Sequence, residues 1–139
     1  MSYILNIESS STNCSVSLSK NGQLISVMEK NDEKYSHSTK LHSYINEVIS
    51  DSSITLKELS AIAVSKGPGS YTGLRIGVAA AKGLCFSLDI PLISVSTLLV
   101  LSKQIKISSG LIIPVLDARR NEVYSAIYDV NYNLVKEET

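Results

Sequence analysis

Within residues 66–88 the sequence sets a small residue at every fourth position, Gly69, Gly73, Gly77 and Ala81. Leu74, Ile76, Val78, residues 79–81 and Leu84 carry a helix through this stretch. Gly67-Pro68-Gly69 ahead of it forms a turn, because the glycines tolerate positive φ and the proline fixes the residue between them. Ser70 or Thr72 stands where a side chain caps the first orphan N–H groups. Positions four apart share one helix face, so this face is nearly bare of side chains. Each interior glycine costs roughly 0.5–1 kcal/mol relative to alanine, and Gly83 joins Gly73 and Gly77 in that cost. A backbone packed closely on the stripe would offset it, by the steric logic of small-residue stripes in membrane helices. The interruptions, with Arg75 and Lys82, argue against a membrane span. The stripe therefore reads as a face for a neighbouring helix, in this chain or another. Packing on the chain's own sheet is the plainer alternative.

The 139 residues are 44% apolar, enough for one domain with a real core. Thirteen Lys and Arg balance thirteen Asp and Glu, so a general electrostatic grip on nucleic acid is not expected. Lys66, Arg75, Arg119 and Arg120 read as solvated surface cations ahead of nucleic-acid phosphate contacts, and Tyr71 as a packing residue ahead of a base-stacking platform. The two cysteines, Cys14 and Cys85, lack CxxC spacing and neighbouring histidines, so neither a disulfide framework nor a zinc site is indicated. His37 and His42 are five apart, off a shared helix face, and no His-Glu-x-x-His occurs. No metal site and no cofactor are expected. Met1-Ser2-Tyr3-Ile4-Leu5-Asn6 opens a strand pattern without a basic leader or long apolar run, so a cytoplasmic chain with no membrane attachment is expected.

Taken in order, 3–7 is a short apolar strand ending at Glu8, and 14–19 alternates with period two. Asn21-Gly22 signals a hairpin into 24–28. Leu41, Tyr44, Ile45, Val48 and Ile49 form an amphipathic stripe, with Ser36 or Ser38 as its cap. Thr55-Leu56-Lys57-Glu58 is a capping box. Residues 59–64 and 91–95 read as further strands, and 98–105 as a helix capped by Ser96 or Thr97. Strands alternating with helices after an opening meander give an α/β layer with a mixed, five-stranded sheet.

The opening then recurs. Residues 111–116 form an apolar strand ending at Asp117, 123–128 alternates, and a turn at Asn131 leads to Leu134 and Val135. Glu8 matches Asp117 at an offset of 109, and Asn21 matches Asn131 at 110. Such self-similarity indicates a duplicated unit. The expected organisation is a first domain at 1–108 and the beginning of a second at 109–139, the rest of a longer protein being absent.

A duplicated meander with a carboxylate closing each first strand resembles the actin, Hsp70 and sugar-kinase superfamily. Lys-Gly-Pro-Gly-Ser-Tyr-Thr-Gly-Leu-Arg-Ile-Gly at 66–77 is similar to one branch of it, the bacterial TsaB (YeaZ) family. Ile-Glu-Ser-Ser at 7–10, His37-Ser38, Pro91-Leu92-Ile93-Ser94-Val95-Ser96-Thr97-Leu98, Asp117-Ala118-Arg119 and Glu122-Val123-Tyr124 carry the likeness along nearly the whole chain. Asn121 departs from it, standing where the family usually has Gly; Asn tolerates the left-handed backbone, so the turn should survive. The resemblance implies an actin-like (ribonuclease H-like) fold. It implies a non-catalytic subunit that pairs with the paralogue TsaD in making threonylcarbamoyladenosine beside the anticodon of tRNA. The ATPase TsaE and a second copy of the chain would be further partners, and tRNA would be met through the complex. It also places the partner interface on the first two helices, about 37–50 and 71–88, hence on Leu41, Tyr44, Ile45 and Val48 with Gly73, Gly77 and Ala81.

An actin-like nucleotide-binding ATPase is the alternative, with Glu8, Ser10, Gly69, Ser70 and Asp117 as the anion or nucleotide contacts. Against it, Glu8 leads into Ser9-Ser10-Ser11-Thr12 and Asp117 into Ala118-Arg119-Arg120, neither containing the glycines that let a backbone cradle phosphate. Gly67-Pro68-Gly69-Ser70 lacks the Gly-Lys-Ser/Thr ending of a P-loop, and no Gly-x-Ser-x-Gly elbow occurs.

Overall fold

Asn21 and Gly22 take positive φ values of 50° and 83°, the backbone that joins two strands tightly. They connect β2 (Asn13–Lys20) to β3 (Gln23–Asn31). β1 (Tyr3–Glu8) pairs antiparallel with β2 and parallel with β4 (Leu59–Gly67), and β5 (Leu92–Ser96) adds parallel to β4. The order is β3-β2-β1-β4-β5, the mixed five-stranded sheet that the alternation of elements predicts. The computed structural model describes residues 2–11, 13–31 and 37–136.

α1 (His37–Asp51) and α2 (Tyr71–Leu88) pack side by side on one face of that sheet. Leu5, Ile7, Val16, Leu18, Ile62 and Val64 from the strands meet Leu41, Ile45, Val48 and Ala81 from the helices in one cluster. Each fully buried aliphatic side chain contributes about 1.5–3 kcal/mol, so this cluster dominates the stability of the fold. The α1 cap candidate Ser36 lies outside the described residues, and Ser38 falls inside the helix. Thr55 N donates to Glu58 Oε2 at 2.7 Å, as the capping box requires. Of the two cap candidates for α2, Ser70 is the one used: its hydroxyl accepts from Gly73 N at 3.2 Å. Asp89, at φ 54°, ends the helix in the left-handed region. Ser70→Ala should cost about 1 kcal/mol, read as a melting temperature lower by a few degrees.

The second half departs from the expected pattern. The apolar run 111–116 does not form one strand. Ile112 bridges Tyr128, and β6 (Val115–Arg119) begins only after Pro114. Proline has no N–H to give to a ladder, which explains the break. Residues 123–128 are divided at Ala126 into β7 (Glu122–Ser125), paired with β6, and β8 (Ile127–Tyr128), paired with β9 (Leu134–Lys136). Arg119, Arg120 and Asn121 have φ values of 66°, 56° and 58°, so Asn121 does adopt the left-handed backbone. α3 (Thr97–Ser102) stops three residues before the expected end at 105. Its Leu98 joins Ile112, Ala126 and Tyr128 in a second cluster, and Tyr132 Oη donates to Ile105 O at 2.7 Å. α3 therefore packs against residues beyond 108 as well as against β4 and β5. Among the described residues, no helix is long and apolar enough to cross a membrane.

Candidate functional site: a cleft and the outer face of the second helix

The end of β1 fills the bare stripe of α2. Ser9 is 1% exposed, and its hydroxyl donates to Gly73 O at 2.7 Å. A Cβ at Gly77 would overlap Ser9 Oγ outright and stand 3.1 Å from Ser9 Cβ. Gly73, Gly77, Ala81 and Cys85 make up the buried face of α2. The expectation that Gly73, Gly77 and Ala81 await a partner is therefore corrected: the chain's own sheet covers them. Leu41, Tyr44, Ile45 and Val48 are corrected likewise, since all four are buried against the same sheet. A helix stripe that is apolar or side-chain-poor is drawn first to the nearest sheet.

What α2 turns outward is different. Arg75, Ala79, Lys82, Gly83, Phe86 and Ser87 are exposed, and Phe86 is 91% so. Ala79, Gly83 and Ser87 are four apart, and a Cβ at Gly83 would meet nothing within 4 Å. A second small-residue stripe, flanked by Phe86, faces solvent. On α1, His42, Ser43, Asn46, Glu47, Ser50 and Asp51 are exposed.

The cleft forms where the two halves meet. One wall is Ser10, Ser11, Gly69, Ser70, Tyr71 and Thr72; the other is Leu116, Asp117, Ala118, Arg119 and Tyr124, enclosing about 610 Å³. It gathers Ser10, Gly69, Ser70 and Asp117 of the candidate anion contacts, but Glu8 is turned away. Glu8 accepts from Ser10 N at 3.0 Å and from the hydroxyls of Ser10 and Ser65. It lines a separate groove on the opposite sheet face with Asn6, Ser15 and Ser17. A Cβ at Gly69 would stand 2.7 Å from Ser10 Cβ, so this glycine serves the close approach of the two turns. Ser70 N donates to Ser10 O at 2.7 Å, and Arg119 N to Asp117 Oδ1 at 2.8 Å. One amide at each turn, Ser70 N and Arg119 N, is thus occupied within the chain.

Tyr71 is not the packing residue expected from the sequence. It is 74% exposed on the cleft wall, and the Arg75 guanidinium lies 5.3 Å from its ring centroid. The glycine register held the signal: two positions from Gly73, a residue points to the far side of the helix. Cys14 and Cys85 are free and buried, and burial pushes both thiols above their ordinary range, away from nucleophilic use. Among the described residues, no three His, Cys, Asp or Glu side chains gather to hold a metal ion.

Residues 31–139 match the family model described as "TsaD: tRNA N6-adenosine threonylcarbamoyltransferase". The chain belongs to this family. Within it the chain falls in the TsaB (YeaZ) branch. It is 42% identical over 104 residues to the tRNA threonylcarbamoyladenosine biosynthesis protein TsaB of Bacillus subtilis, covering 75% of this chain and 45% of that one. To TsaB of Buchnera aphidicola (subsp. Acyrthosiphon pisum) it is 39% identical, covering 95% of this chain and 60% of that one. The chain spans about half the length of these curated relatives. YeaZ from Pseudomonas aeruginosa superposes with a TM-score of 0.90 at 28% identity, over 100% of this chain and 66% of that one. An activator of 2-hydroxyisocaproyl-CoA dehydratase from Clostridium difficile, at 15% identity and a TM-score of 0.54, covers 97% of this chain and 43% of that one. The α/β fold is accordingly actin-like, as the sequence resemblance implies.

Proposed function

We propose that the chain is a non-catalytic subunit that pairs with a TsaD paralogue in forming N6-threonylcarbamoyladenosine beside the anticodon of tRNA. One observation carries the pairing: the outer face of α2 sets Phe86, 91% exposed, beside the open stripe Ala79, Gly83 and Ser87. Small residues let a partner helix approach closely, and an exposed aromatic that a partner buries near the centre of the contact is a usual anchor of an interface. The names of the TsaB relatives support the pathway. A second copy of the chain could use the same face, and the TsaE ATPase would join the assembled pair.

Co-expression with the TsaD paralogue from the same source tests this. A stable one-to-one complex on gel filtration is the expected result; two separate peaks at micromolar concentration would end the proposal. Catalysis by the chain alone is not expected, because Glu8 bonds Ser10 and Ser65 and is not among the cleft-lining residues, and one amide at each cleft turn, Ser70 N and Arg119 N, is already bonded. Purified chain should hydrolyse ATP no faster than buffer, and Glu8→Ala should not change that. Turnover by the wild-type chain that Asp117→Ala removes would establish the ATPase instead.

A further inference from the structure

We infer that the mouth of the cleft binds single-stranded RNA, a reading that rests on the tRNA-directed function proposed above. Tyr71 stands 74% exposed on one wall, and Tyr124 is half-buried on the facing wall. Arg75 lies over the Tyr71 ring, which orients the ring and adds positive charge beside it. Arg119 lines the opposite wall. The left-handed backbone at Arg119 and Arg120 projects this pair from the hairpin tip, and both are exposed.

Asp117 and Arg119 are the two charged side chains among the cleft-lining residues; Arg75 over the Tyr71 ring and Arg120 at the hairpin tip add two cations beside that lining. An exposed ring with cations near it is the combination by which proteins hold unpaired nucleotides. The ring stacks on a base of any identity, and the cations take the backbone. A lone phosphate would find one amide at each turn, Ser70 N and Arg119 N, already engaged within the chain. An A-form duplex is disfavoured, since its bases are not free to stack on a side chain.

The test is fluorescence anisotropy of the complete chain with a labelled 17-nucleotide anticodon stem-loop at about 50 mM salt, without any TsaD paralogue. With three cations engaged, the logarithm of the association constant should fall with log salt at a slope near −2. Arg119→Ala should reduce that slope by about 0.7. Tyr71→Ala should weaken binding about tenfold, and Tyr71→Phe, which keeps the ring, should restore it. Lys57→Ala, at the opposite end of β4, should change nothing. Absent binding, unchanged affinity in Tyr71→Ala, or equal affinity for a blunt duplex of the same length would each overturn the inference. The RNA-free pairing assay reports separately on the proposed subunit role, so either claim can fail alone.

Discussion

Gly77→Leu is expected to destabilise the isolated chain severely, before any partner is added. The new side chain would occupy the space of Ser9, which is buried and donates to Gly73 O. Overpacking a filled site costs typically 1–3 kcal/mol, occasionally more. Displacing the Ser9 hydroxyl adds the penalty of a broken buried hydrogen bond, about 1–3 kcal/mol. A loss of about 4 kcal/mol is a large share of the 5–15 kcal/mol that typically holds a domain together. In a chain of this size it lowers the melting temperature by on the order of 15 °C. Thermal denaturation followed by circular dichroism reads this directly. A variant melting like wild type would mean that β1 does not seat against this helix.

Phe86→Asp should do the reverse, sparing the fold and breaking the pair. Phe86 touches little of its own chain, so stability should move by no more than about 0.5 kcal/mol. A truncated aromatic anchor at the centre of an interface costs about 2 kcal/mol or more, and a charge placed there adds desolvation. The dissociation constant for the TsaD paralogue should rise at least 30-fold by isothermal titration calorimetry. Gly83→Ala makes a useful companion, since its Cβ meets nothing in the chain. It should stabilise the isolated chain by roughly 0.5–1 kcal/mol. Equal affinity in Phe86→Asp would move the interface off this face.

Much of the sheet was legible because its signals are local. Asn21-Gly22 fixes a hairpin, the alternation from Cys14 fixes a half-buried strand, and Leu41 to Ile49 fixes a helix face. The Gly73, Gly77 and Ala81 spacing was legible as one face, but not what covers it, because Ser9 arrives from 64 residues away in sequence from Gly73. A four-residue spacing says that something comes close and leaves its identity open. Applying the same register outward from Gly73 exposes Tyr71, Arg75, Ala79, Gly83 and Phe86, so the outer face was recoverable in principle. The cleft joins Ser10 and Ser70 to Asp117 and Arg119 across the two halves, and no periodicity reports a contact of that range. The repeat pairing Glu8 with Asp117 foresaw two similar turns. It did not foresee that Glu8 bonds Ser65, a residue of the neighbouring strand, and so turns from the cleft.

Replacing Phe86 by p-benzoylphenylalanine and irradiating the chain with its TsaD paralogue measures directly which surface the partner covers. A covalent adduct with the paralogue from position 86, and none from the same photoprobe at Leu24 on β3, is the predicted outcome. A complex that forms normally but yields no adduct at 86 would contradict the placement of the partner on the outer face of α2.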